Sequence, residues 1–148
     1  MNDCLICDRI DWIKDDKNPY FVKELETGYV VIGDQQTYWG YTLFLCKQHV
    51  PELHLLDPRF RDTFLSEMAV VAEAVYKAFS PDKLNYELLG NTDEHLHWHL
   101  FPRRKTDEKS YTAIWAVEKS RRGYEPDKKE LNKLKQMLLL ELNKLLEN

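Results

Sequence analysis

At 148 residues, with 43% hydrophobic and 31% charged residues, the chain has the size and balance of one globular domain able to bury a core. Its net charge of −4 lacks the basic footprint of a binder of nucleic acid polymers, though local cations and backbone amides can still hold a small anion. No run approaches the ~20 apolar residues of a membrane span and no signal-peptide pattern opens the chain, so a cytoplasmic protein with no membrane partner is expected.

The predicted elements begin with strands. Residues 20–25, 29–32 and 41–45 are short, rich in β-branched and aromatic side chains, and separated by Gly28, Gly33 and Gly40. Their close spacing predicts antiparallel neighbours, since a parallel pair needs a longer crossover. The period then changes. Asp57-Pro58 is a helix start, and Phe60, Phe64, Met68, Val71, Val75 and Phe79 make an apolar stripe that Ser80-Pro81-Asp82 ends. Two more strands are expected around residues 84–89 and 96–101, with Pro102 closing the second. Residues 103–125 read as an irregular connection. Asp127 and Glu130 then form a capping box, and Leu131, Leu134, Leu138, Leu142 and Leu145 line one face of a last helix. The reading is a single α+β domain over residues 1–148: an antiparallel sheet of about five strands, covered on one face by a long helix, with a C-terminal helix.

Three of the five histidines stand at positions 95, 97 and 99. Alternate residues of a strand share a face, so the three imidazoles point one way while Leu96, Trp98 and Leu100 point the other, toward the long helix. One metal held by all three is geometrically poor. His95 and His99 are ~13 Å apart along a regular strand, whereas zinc ligands converge to ~2.0–2.1 Å from the ion. Distinct roles are expected. Three cysteines, Cys4, Cys7 and Cys46, make a poor disulfide framework, and Cys4-Leu5-Ile6-Cys7 reads as reduced thiols or metal ligands.

The run His95-Leu96-His97-Trp98-His99-Leu100-Phe101-Pro102-Arg103 resembles the signature of the histidine-triad family of nucleotide hydrolases and transferases. Gly90-Asn91-Thr92 is similar to that family's Gly-Gln-Ser/Thr segment. Residues 40–49, ending Cys46-Lys47-Gln48-His49, resemble its Gly-His strand closed by Pro-Lys-x-His, and residues 4–10 resemble the Cys-x-Phe-Cys opening of one branch. There are three departures. Tyr41 stands where many members carry a fourth histidine, Cys46 replaces a proline, and Asn91 replaces glutamine.

The resemblance implies an enzyme, commonly a homodimer, acting at the α-phosphorus of a dinucleoside polyphosphate or nucleoside phosphoramidate, with no cofactor needed for the chemistry. His97 would be the nucleophile, forming a nucleotidyl-histidine. His99, Asn91 and Thr92 would donate to phosphoryl oxygens, with sheet and turn hydrogen bonding as their ordinary readings. Leu5, Ile6 and Ile10 would line a slot for the nucleoside, and Asp34 would take ribose hydroxyls or simply serve the turn after Gly33. Arg103 and Arg104 are read as solvated charges rather than phosphate ligands. Cys4, Cys7, His49 and His95 match a family zinc set. They form either a closed structural zinc site or free thiols beside hydrogen-bonded imidazoles. Two other classes stay open: a non-catalytic nucleotide-binding regulatory module, and a zinc-dependent hydrolase with His97 and His99 as ligands.

Overall fold

The computed structural model describes residues 3–147. Its elements run α1 (Leu5–Lys14), β1 (Phe21–Glu24), β2 (Gly28–Ile32), β3 (Thr42–Cys46), α2 (Pro58–Phe79), β4 (Lys83–Glu87), β5 (His97–Arg103) and α3 (Lys128–Leu146). The five strands form one sheet in the order β1-β2-β3-β5-β4, antiparallel throughout. The fold is therefore α+β, as expected.

Strand alternation sorts the side chains into two layers. Val30 and Ile32 of β2, Phe44 and Cys46 of β3, and Leu100 of β5 join the core under α2 and α3, together with Leu96 just ahead of β5. Tyr29, Val31, Leu43 and Leu45 face the opposite way and pack against Ile6 and Ile10 of α1. Every residue of β2 and β3 is consequently buried. Unbroken apolar strands of this kind are what coverage on both faces requires.

The second layer corrects the expectation of a sheet covered on one face. Helix α1 was not anticipated. The Cys4 sulfur accepts from the Cys7 amide at 3.3 Å and caps it, while Ile6 and Ile10, one turn apart, bury against the sheet. Ten residues are too few for a helix to persist alone in water, and burial of two isoleucines, at ~1.5–3 kcal/mol each, holds it.

Helix α2 has its expected bounds. The Asp57 carboxylate accepts from the amides of Arg59 and Phe60, and Ser80, at φ 47°, ends it in the left-handed region. Helix α3 starts on Asp127, whose carboxylate accepts from the Glu130 amide at 2.8 Å. The reciprocal half of the box is not made, because the Glu130 carboxylate accepts instead from the Tyr124 hydroxyl at 2.6 Å. Leu131, Leu134, Leu138 and Leu142 are buried in the core shared with α2, so the leucine face packs within the subunit.

Two further expectations change. Pro102 does not close β5, which runs on to Arg103. Beyond Leu100 its β3 partner has ended, so Pro102 sits where only β4 flanks the strand. The connection after β5 is irregular, as read, but carries short 3-10 turns at Ile114–Ala116 and Lys119–Arg121 and buries Ile114 and Val117. Arg103 fastens it. This side chain is 2% exposed and donates to Asp107, Asn85 and the Thr112 carbonyl, while Arg104 donates to the carbonyls of Trp39 and Phe79. Neither arginine is a solvated charge.

Candidate active site

Strand β5 delivers two of the three histidines, His97 and His99. They and Phe101 lie on the face opposite α2, in register with Leu45 and Leu43 of β3. His95 precedes the strand, held by the amide of Leu96 donating to the Val50 carbonyl. The three imidazoles have three different sets of partners, as the spacing argument required.

The His97 Nδ1 lies 2.6 Å from the carbonyl of His95. A carbonyl can only accept, so Nδ1 carries the proton and Nε2 keeps its lone pair. That tautomer is the one a nucleophilic imidazole needs. His97 opens on a cleft of ≈ 300 Å³ lined also by Gly90, Asn91, Thr92, Asp93, His99 and Trp115. Gly90 takes φ +81°, a conformation suited to glycine, and so turns the exposed Asn91 and Thr92 over the cleft.

His99 is half-buried beside His97, with ring centroids 4.8 Å apart. Its Nδ1 is 2.6 Å from the Tyr41 hydroxyl. Burial first, and then the neighbouring His97, push its pKa down to about 4, so the ring is neutral near neutrality. Tyr41 stacks on Phe101 at 4.0 Å, and burial raises its phenol far above the ordinary range.

His95 belongs to a separate cluster. Its Nε2 is 2.6 Å from the Cys46 carbonyl, which places the proton there and leaves Nδ1 free. That Nδ1 lies 3.4 Å from Cys7 Sγ, 3.6 Å from Cys4 Sγ and 3.2 Å from His49 Nδ1, and Cys7 Sγ is 3.3 Å from His49 Nδ1. All four ligand atoms fall within 4.8 Å of one another. Burial lowers the His95 pKa and keeps the ring in its ligating, neutral form. Cys4, Cys7, His49 and His95 thus form a group that could hold a metal ion. The Asn91–Thr92 loop stands between it and the His97 cleft, since both residues also line a second cleft shared with Cys4 and His49.

The residues expected to hold the nucleoside, Leu5, Ile6, Ile10 and Asp34, do not line the His97 cleft. Ile6 is 4% exposed in the core under α1, and it lines neither of these clefts. Asp34 pairs with Arg9 at 3.1 Å and borders a smaller pocket of ≈ 140 Å³ with Tyr38, Tyr41, Phe101 and Trp115. Trp115 was missed. Its indole lines both the His97 cleft and the Asp34 pocket, its Nε1 donates to Glu87 at 2.7 Å, and Arg122 lies over its ring at 4.9 Å. Only the apolar content of residues 111–117 hinted that this connection carried anything.

Comparison with known proteins gives consistent findings. The family model described as HIT domain matches residues 18–106. Adenosine 5'-monophosphoramidase HNT1 of Saccharomyces cerevisiae is 29% identical over 147 residues, covering 94% of this chain and 82% of the relative. Bis(5'-adenosyl)-triphosphatase of Dictyostelium discoideum is 28% identical over 142 residues, covering 90% and 93%. Among solved structures, a histidine triad protein of Bradyrhizobium japonicum superposes with TM-score 0.75 at 23% identity, covering 82% of this chain and 89% of its own. A zinc-bound histidine triad family protein of Mycobacterium smegmatis does so with TM-score 0.64 at 21% identity, covering 98% and 96%.

Proposed function

This chain belongs to the HIT domain family, and on that premise we propose that it is a nucleotide hydrolase or nucleotidyl transferase acting at the α-phosphorus of a dinucleoside polyphosphate or nucleoside phosphoramidate. Relatives named as a monophosphoramidase and a triphosphatase, similar over nearly the whole chain, support that substrate class.

The observation that carries the reading is the 2.6 Å bond from His97 Nδ1 to the His95 carbonyl, which aims an unprotonated Nε2 into the cleft. Nε2 attacks the α-phosphorus. A nitrogen–phosphorus bond forms as the bond to the leaving group breaks, and water or another acceptor then displaces His97. His99, Asn91 and Thr92 line the same cleft and donate to the phosphoryl oxygens. Asp34, paired with Arg9 in a pocket that Trp115 shares with the cleft, is the candidate ribose contact.

Zinc suits the Cys4, Cys7, His49 and His95 set. A tetrahedral ion with bonds of ~2.3 Å to sulfur and ~2.0 Å to nitrogen spaces its ligand atoms ~3.3–3.8 Å apart. The sulfur–nitrogen separations of 3.3, 3.4 and 3.6 Å and the nitrogen–nitrogen separation of 3.2 Å are close to those edges. Four protein ligands would close the site, so zinc held by Cys4, Cys7, His49 and His95 would pin α1 to the sheet and leave the chemistry to His97. The catalytic unit is a homodimer, as the family membership suggests, and its cysteines, all unpaired, suit the cytoplasm.

Acid and base quenches during turnover test the mechanism. Nucleotide should remain on the protein through an acid-labile, base-stable phosphorus–nitrogen bond, on the peptide holding His95, His97 and His99. Two successive inversions should retain configuration at phosphorus, and net inversion there would exclude the covalent histidine route.

A further inference from the structure

Tyr41 and His99 are 58 residues apart in sequence and meet only because β3 and β5 pair, with Leu43 opposite His99. Their contact, behind the His99 wall of the cleft, has no part in the chemistry above. We infer that Tyr41 is a positioning residue: its hydroxyl donates to His99 Nδ1 and fixes His99 as the Nε2–H tautomer, a hydrogen-bond donor to the phosphoryl oxygens at His97. This inference rests on the reading of His97 as nucleophile.

The direction of the bond follows from where the phenol sits. Among the described residues, the Tyr41 hydroxyl has His99 Nδ1 as its hydrogen-bond partner and no other. Were it to accept instead, its own proton would have no protein acceptor among the described residues. The phenol therefore donates, and Nδ1 must be the unprotonated nitrogen. His99 is neutral, so its single proton is on Nε2, the edge left for the cleft.

Packing holds the geometry. The Tyr41 ring lies between Phe101, stacked at 4.0 Å and 12°, and Gly33, where an added Cβ would come within 2.2 Å of the ring. These two neighbours hold the ring on either side. His97 and His99 thus present opposite tautomers to one cleft: a lone pair set by the His95 carbonyl, and an N–H set by the Tyr41 hydroxyl. A nucleophile and an electrophilic donor are both required at a phosphorus under attack, and two adjacent imidazoles supply them.

The test combines the protein labelled with 15N-histidine and its Tyr41→Phe variant, which keeps the stacked ring and removes the hydroxyl. Two-bond proton–nitrogen correlation spectra at neutral pH should show wild-type His99 as Nε2–H. In Tyr41→Phe the pattern should shift toward mixed tautomers, and kcat should fall about tenfold or more with KM within about twofold, because a pre-set tautomer is lost rather than a substrate contact. His99 found as Nδ1–H in the wild type would overturn the inference. So would a variant in which either readout stays at its wild-type value. If Tyr41→Phe does not fold, by near-ultraviolet circular dichroism, the wild-type spectrum alone decides. If the wild type turns over no nucleotide, the proposed function fails, while the tautomer assignment still stands or falls on the spectrum.

Discussion

Replacing Arg103 by methionine should cost more stability than any substitution at the cleft. The guanidinium is 2% exposed, and it donates to Asp107 Oδ2 at 3.1 Å, Asn85 Oδ1 at 3.1 Å and the Thr112 carbonyl at 2.6 Å. It also lies 4.9 Å over the Tyr38 ring. Hydrogen bonds from a charged donor contribute ~1.5–3 kcal/mol each, and removing one partner of a buried ion pair costs ~3–5 kcal/mol. Methionine refills part of the volume, and Asp107 keeps the Arg104 amide at 2.9 Å. A net loss of about 3–5 kcal/mol is expected, lowering Tm by about 10 °C in a domain of this size. Scanning calorimetry measures it. The same change should free the connection that Arg103 fastens, so trypsin should cut after Lys105, Lys109 or Lys119 much faster than in the wild type. A Tm within about 2 °C of wild type, with an unchanged cleavage rate, would refute the view of Arg103 as the anchor of residues 104–127.

His97→Ala should abolish turnover, by about 10³-fold or more, and leave the melting curve unchanged, as assayed on a nucleoside phosphoramidate. Elemental analysis should find one zinc ion per subunit, and chelation or Cys7→Ser should lower Tm by several degrees, since a closed site contributes folding energy. Stability should also fall in acid on account of His99. With a folded pKa pushed down to about 4 against an ordinary 6.5, the unfolded chain binds the proton first. The contribution, at most about 3 kcal/mol, is complete above pH 6.5 and is lost as pH falls toward 4. The difference in unfolding free energy between wild type and His99→Asn, measured in urea at pH 7 and pH 4.5, should shrink at the lower pH.

Much of this architecture is legible in the sequence because its signals are local. The period-two run at 97–101 assigns a face to each side chain, and Asp57-Pro58 marks the start of α2 within one residue. The failures share a different cause. Helix α1 offers only Ile6 and Ile10 as buried positions, too weak a stripe to read before the sheet that buries them is known. The pairing of Asp34 with Arg9, the interior place of Arg103 and the arrival of Trp115 beside His99 all depend on contacts between distant segments. His97 and His99 were legible from alternation. The Cys4, Cys7, His49 and His95 group spans 91 positions, and only a family resemblance could collect it.

His95 makes two attachments from one residue: its ring reaches the sulfur–imidazole group through Nδ1, and its main-chain oxygen accepts a hydrogen bond from His97 Nδ1. The anchor and the warhead are therefore in series along two residues of backbone. A His95 variant is a confounded experiment, since lost activity would report a displaced ring, a displaced carbonyl, or both. A Cys7 variant touches the anchor alone, whereas a Cys4 variant also removes the cap of α1. Comparing the His95 and Cys7 variants measures how far the aim of His97 depends on the group of Cys4, Cys7, His49 and His95.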